Sequence, residues 1–467
     1  NLLIELHLCS LGCGTERFSL LTQEGVPGKN NSWKKIEQFN EFVDEKRIKY
    51  QHSRLIPLLK TGDEQALTSI FLSSLRLIKE FRNKIFNEIK LKKNGKIYFF
   101  TEVCFEDIDS KSFLDGLIIV VSKGKIIDSA IVEVKNNKNL IDENQILRYY
   151  NIAKTLEINK IVTISNQFVS HPSHSVVNIK NKSKKVDLFH LSWTYIQTIA
   201  SLLISENDDD IQDEDQVEIM KEVLNYLGDE RSGVNGFHQM SDGWVKVSED
   251  IKNQITPKND DLEEAVLSWH QEIVDMKLLL SRKLGVKVKT NNENPSKRIV
   301  NDIKKLKTKN FLSTIFKIDG AVSDIEIKSE FERRILQMSV DIRPPLDSGT
   351  IARLNWLKRQ LDKLDKTITS KLIIEASVKF YSKPIKFEFS DYENFYDYLD
   401  IKNKDLTSFK ISLINPSKFT KKKVFVSEIE SMIIKFYSEL VQNLKSWNPP
   451  APKINNKEKE VAISNED

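Results

Sequence analysis

The sequence predicts an α/β domain followed by an α+β domain, and three observations predict it. Apolar residues recur at helical spacing in several long stretches, short β-rich runs separate them, and an acidic stretch divides the chain near its middle. Over residues 35 to about 205 the order is helix, several strands, helix, two strands, helix, which is the order of a mixed sheet flanked by helices. A helix is expected from residue 64 to about 89, where Leu67, Ile70, Phe71, Leu75, Ile78 and Phe81 form a stripe and Thr61-Gly62-Asp63 gives a start. A strand near 97–103, a hairpin over 113–135, a helix at about 140–157, strands at 160–164 and 186–191, and a helix at 192–204 capped by Ser192 complete the unit.

Residues 206–218 are densely acidic and free of lysine; such a run repels itself and reads as an exposed linker. The linker is expected to extend to residue 260, with one helix at 217–227 and a Gly-rich connection holding Gly228, Gly233, Gly236 and Gly243. Residues 261–446 read as the second domain, of α+β type. Its helices are expected at 261–284, 297–309, 350–364 and 426–444, and its strands at 323–328, 339–342, 371–379 and 384–389. Residues 447–467 are charged, contain Pro449-Pro450 and are expected to be disordered. Residues 1–30, rich in Leu and Gly, read either as an extension outside the fold or as an ordinary N-terminal arm. No internal repeat is found.

At 467 residues the chain has room for two or three domains. Its 71 basic residues nearly cancel 67 acidic ones, so the net charge of +4 announces no nucleic-acid binding and only a local basic surface would. Three cysteines, Cys9, Cys13 and Cys104, make no disulfide framework and point to a reducing, cytoplasmic setting. No apolar run approaches the roughly 18 residues that span a bilayer. The opening Asn1-Leu2-Leu3-Ile4 lacks a basic flank and is not expected to be a signal peptide.

The chemistry-bearing feature is Asp115, Glu133 and Lys135, followed by Gln145 and Tyr149. Strand residues alternate faces, so Glu133 and Lys135 share one face while Val132 and Val134 enter the core. Lys123-Gly124-Lys125 reads as a three-residue hairpin loop, and in that register Asp115 lies opposite Glu133. Facing positions hold Cβ atoms about 5 Å apart, and two carboxylates that close repel unless a cation sits between them. A hard divalent ion, Mg²⁺ or Mn²⁺, takes oxygen ligands and keeps several waters, so this pair with a main-chain carbonyl suffices. Lys135 would orient or deprotonate a water, or stabilise charge on phosphoryl oxygens. Gln145 and Tyr149, four apart on the next helix, would orient Lys135 or touch the substrate backbone.

Leu114-Asp115-Gly116, Glu133-Val134-Lys135 and Gln145-Ile146-Leu147-Arg148-Tyr149 together resemble the PD-(D/E)XK nuclease superfamily, in its branch with a downstream Q-x-x-x-Y motif. Leu114 departs from the proline of the motif name. The resemblance covers residues 50–200 and implies a restriction-endonuclease-like mixed sheet, metal-dependent hydrolysis of phosphodiesters, DNA more than RNA as substrate, and a setting in phage defence, restriction or DNA repair. It also implies a further acid from the upstream helix, which Glu64 matches best as a ligand beside Asp115 and Glu133; Glu80 lies too far along.

Other candidates carry less. His171 and His174 fall in a polar loop without a placed acid, the seven histidines show no zinc spacing, and no Gly-rich phosphate loop occurs. Lys297, Arg298, Lys304, Lys305, Lys307 and Lys309 form the clearest basic patch, and Arg353, Lys358 and Arg359 lie on the later helix; they read as a solvated helix face or as contacts to a phosphate backbone. The rival reading is a non-catalytic nucleic-acid-binding or partner-binding protein on a nuclease-like scaffold, its second domain engaging a protein partner.

Overall fold

The structure, a computed structural model, describes residues 37–447 except 45–46, 54, 56–59, 107, 170–171, 178, 180–184, 206–210, 212, 291–294 and 392–403. Expectations for residues 1–30, for His171 and for Pro449-Pro450 lie outside the described residues.

The first half contains α1 (Phe39–Phe42), β1 (Ile48–His52), α2 (Glu64–Leu77), α3 (Lys79–Glu88), β2 (Lys96–Phe105), β3 (Asp109–Ser122), β4 (Lys125–Val134), α4 (Glu143–Thr155), β5 (Lys160–Ser165), β6 (Asp187–Ser192) and α5 (Trp193–Ser205). The strands form one six-stranded mixed sheet in sequence order. β1 to β4 are antiparallel, and β4, β5 and β6 run parallel, with α4 making the crossover from β4 to β5. Both faces are covered. Ile118, Val120, Ala130, Val132 and Val134 pack toward α2, α3 and α5, while Leu117, Ile119 and Ile131 pack toward α4.

The single helix expected over 64–89 is two. Ile78 is extended, with φ −112° and ψ 105°, and its side chain is fully buried. The carbonyls of Leu75 and Arg76 that the break leaves without helical partners accept from Arg82 Nη1, at 2.8 and 3.2 Å. The start of α2 falls as expected: the Asp63 side chain accepts from the Gln65 N–H at 3.0 Å.

The stretch expected to be a linker with one helix carries two, α6 (Glu214–Gly228) and α7 (Asp242–Lys252), and both are core members. Met220, Val223 and Leu227 of α6 join the first sheet's core, whereas Trp244, Val247 and Ile251 of α7 join that of the second half. Acidity near the start of α6 masked its apolar face.

The second half contains α8 (Asn259–Leu284), β7 (Lys289–Thr290), α9 (Pro295–Lys309), β8 (Phe311–Lys317), β9 (Ile325–Glu330), β10 (Ile335–Ile342), α10 (Thr350–Leu361), α11 (Lys366–Thr369), β11 (Leu372–Val378), β12 (Ile385–Glu388), β13 (Leu406–Pro416) and α12 (Lys422–Glu439). Its strands form a seven-stranded antiparallel sheet in the order β12-β11-β13-β10-β9-β8-β7. β8 and β13 were not among the expected strands. β13 joins β10 to β11 and buries Leu406, Phe409, Ile411 and Leu413. Among the described residues no helix is long and apolar enough to cross a membrane.

Candidate active site

Two irregularities in the sheet build the site. The β3–β4 turn has two central residues, not three: Ser122 pairs with Lys125, and Lys123 and Gly124 take φ of 51° and 76°. Such a tight turn matches the strand twist but by itself would set Asp115 against Val132. Between the pairs Val120–Asp128 and Val121–Ile126, β4 inserts one extra residue, Ile127, and the register shifts by one. Gly116 consequently pairs with Val132, and the next position sets Asp115 against Glu133. The expected alignment arises through a bulge, not through the loop.

The second irregularity was not legible as a site. Thr101 pairs with Gly116 and Val103 with Leu114, leaving Glu102 across from Asp115 with a φ of 51°. The alternation slips at this level in both strands: Phe100 and then Val103 face the α4 side, as do Leu117 and then Leu114. A left-handed Glu inside a strand is strained, and such strain collects at functional sites. Burial, followed by the charges of Asp115 and Asp63, pushes the Glu102 carboxyl up to about 7. The sequence signal was the polar interruption Thr101-Glu102 in an apolar strand.

Around this level the side chains converge. Glu133 is fully buried; its Oε1 accepts from Lys135 Nζ at 2.6 Å, and its Oε2 is buried with no hydrogen-bond partner. Asp115 Oδ2 accepts from the Val134 N–H at 2.8 Å. Burial raises both carboxyls, most plainly Glu133, which burial and then the Asp115 charge push up to about 8. Lys135 also meets Glu64 Oε2 at 3.2 Å. Burial opposes its charge, but Glu133, Asp115 and Glu64 outweigh burial and hold the ammonium above the usual lysine range. Glu64 is placed from the first turn of α2, where Asn139 Nδ2 donates to its Oε1 at 2.8 Å.

The backbone that presents Lys135 is clamped. Its N–H donates to Ile164 O at 2.8 Å, and Trp193 Nε1 donates to its carbonyl at 2.9 Å. Asn136 Nδ2 bridges Gly62 O and Ser232 O, so the connection after α6 closes against the site. Gly62 is needed there: a Cβ would stand 2.2 Å from the Arg231 carbonyl oxygen.

Gln145 and Tyr149 share one face of α4, as expected, but neither hydrogen-bonds to Lys135. Gln145 Nε2 donates to Tyr149 Oη at 3.0 Å, and Tyr149 Oη donates to Phe113 O at 2.7 Å. The pair therefore pins the start of β3, two residues before Asp115. Burial, with Glu133 and Asp115 facing it, raises the Tyr149 phenol far above its ordinary value.

The expected basic patch does not assemble at this site. Arg353 is buried, pairs with Asp405 and donates to the carbonyls of Pro345, Leu346 and Leu406, so its role is structural. Its place on the buried stripe of α10 with Leu354 and Leu357 explains why a basic residue misled. Arg298 reaches Asp302 and Thr314, Lys305 reaches Ser313 and lies over the Phe311 ring, and Lys307 reaches Asn259. Lys297, Lys304 and Arg359 are exposed, on α9 and α10 of the second half.

The donor set tests what ion would fit. Among the described residues no group of three or more His, Cys, Asp or Glu side chains could by itself hold a metal ion. A zinc-type cage of protein ligands is therefore a poor fit. A hard ion taking Asp115 and the unpartnered Glu133 oxygen and completing its shell with water fits the donors present. No family model, no curated protein and no solved structure matches this chain.

Proposed function

We propose that the chain is a divalent-metal-dependent nuclease of the restriction-endonuclease-like type, acting on DNA in preference to RNA. One observation carries this reading: a fully buried Glu133 oxygen without a partner, beside Asp115 and within a lysine's reach. A buried carboxylate left unsatisfied costs stability, and its presence calls for a ligand. Asp115 and Glu133 would hold the ion, with water completing its shell, and the ion would supply Lewis acidity to the phosphodiester and to water; Glu64, expected as a third ligand, has its oxygens engaged by Lys135 and Asn139 instead.

The chain's own groups do the rest. Lys135 stays cationic under three carboxylates, so it serves by placing positive charge at the phosphoryl oxygens and not by taking a proton from water. Tyr149 and Gln145 keep β3 in register so that Asp115 meets Glu133. Glu64, tethered by Asn139, is a second carboxylate that holds Lys135.

The test is cleavage of plasmid and of single-stranded DNA with Mg²⁺ or Mn²⁺. Glu133→Ala and Lys135→Ala are expected to lose about 10²–10³-fold in rate, the usual effect of removing one electrostatic stabiliser. Equal cleavage by wild type and both variants would overturn the assignment. Metal-indifferent binding without cleavage would favour a non-catalytic nucleic-acid-binding protein.

A further inference from the structure

A cleft of about 1280 Å³ opens beside the carboxylate centre. Asn139, which holds Glu64, lies in its wall with Asn137 and Lys138, two and three residues after Lys135. The opposite wall comes from α8, with Gln271 and Asp275, and from Lys423 at the start of α12. Neither half of the chain makes this cleft alone.

Its chemistry is specific. Phe168 and Phe237 meet edge to face, with ring centroids 6.2 Å apart and planes at 82°. Asp275, 3% exposed, accepts from the Phe237 N–H through Oδ2 at 2.6 Å, while its Oδ1 is buried without a partner. Lys138 and Lys423 are exposed and pair with no acid among the described residues. An acceptor without a donor, aromatic edges and two free ammonium groups on facing walls match the parts of one nucleotide.

We propose that this cleft receives an unpaired nucleotide of a single strand whose phosphodiester lies at the Asp115–Glu133 centre. The inference rests on the nuclease reading above. Lys138 and Lys423 take flanking phosphates, the base lies against Phe237, and Asp275 Oδ1 accepts from an exocyclic amino group. A duplex hides that edge in base pairing, so a single strand is required. Cytosine is favoured over thymine because it presents an amino donor where thymine presents a carbonyl.

The test is fluorescence anisotropy on the full chain in chelator, which prevents cleavage, with short single strands and the matching duplex. Single strands rich in cytosine are expected to bind about tenfold more tightly than thymine strands, and far more tightly than duplex. Phe237→Ala should weaken single-strand binding about tenfold, Asp275→Asn should erase the cytosine preference, and Lys138→Ala should reduce the salt slope by about one. Should Phe237→Ala fail to fold, Gln271→Ala at the same wall takes its place. Equal affinity for strand and duplex, unmoved by these variants while Mg²⁺-dependent cleavage persists, would overturn the cleft assignment and leave the nuclease reading standing. Absence of both binding and cleavage would overturn the two together.

Discussion

The six-stranded sheet is covered on both faces, whereas the seven-stranded sheet packs one face on helices and leaves the other half-exposed, so that buried and half-buried residues alternate along β8, β9 and β11. Their buried polar residues differ in kind. In the second sheet these are the hydroxyls Thr314, Ser329, Ser339 and Ser412, and no charged side chain joins them. In the first, Asp128, Glu133 and Lys160 are buried within the strands. Those three divide again. Asp128 is satisfied on all sides, by Lys160 Nζ at 2.7 Å and by the N–H groups of Lys92 and Ser129. Glu133 keeps one oxygen unmatched. Both Asp128 oxygens are matched by donors, whereas Glu133 Oε2 is the oxygen on which the proposed ion site rests.

The largest expected effect tests whether the two sheets are separable. Phe409→Ala, in the fully buried centre of β13, is expected to cost about 3–5 kcal/mol in chemical denaturation. Cleavage per folded molecule should be unchanged at low temperature. A folded Phe409→Ala protein without cleavage would show that the second sheet's packing enters the chemistry.

The same contrast explains what could be read in the sequence. The order of elements in the first half was legible because its helices and strands carry clean apolar periods, as in Leu67-Ile70-Phe71 and Ile161-Val162. Asp115, Glu133 and Lys135 were legible as residue types on paired strands, but their alignment was reached by assuming a three-residue loop, whereas a two-residue turn and a bulge at Ile127 produce it. Glu102 was not: its importance comes from a backbone slip that no residue period announces. Arg353 misled for the converse reason, since composition does not tell an arginine that binds four internal acceptors from one that faces water. The α6 helix was expected, but as part of a linker and not of the core, and α7 was hidden by Gly-rich neighbours although Trp244 and Val247 keep helical spacing. β13 was missed despite its alternating apolar residues, which a search for period two after residue 404 would have found.

A smaller effect sharpens the role of α4. Tyr149→Phe removes the donor to Phe113 O and the acceptor for Gln145 while leaving the ring packed. The expected loss is about 1–3 kcal/mol of stability, with cleavage reduced far less than by Glu133→Ala. A loss of cleavage as complete as that of Glu133→Ala would place the phenol in the chemistry itself and not in the positioning of β3.

The smallest effect separates the two kinds of buried charge by their protons. Glu133 titrates near 8 in the folded chain and near 4.5 when unfolded, so between those values the native state holds a proton that the unfolded state has lost. Stability in chelator is therefore expected to be complete below about pH 4.5 and to fall as pH rises toward 8, at no more than about 1.4 kcal/mol per pH unit for one proton. Glu102, Glu272, Asp275 and Glu430 are raised as well and add to the slope of the wild type, so the informative quantity is the difference from Glu133→Gln, in which they remain. The variant should show the shallower fall across pH 5–8 in urea titrations. Mg²⁺ should stabilise the wild type more at pH 8 than at pH 5.5, because the ion must displace that proton to bind. Identical slopes in wild type and variant would mean that Glu133 is ionised throughout, already balanced by Lys135, and the distinction drawn between the two pairs would fail.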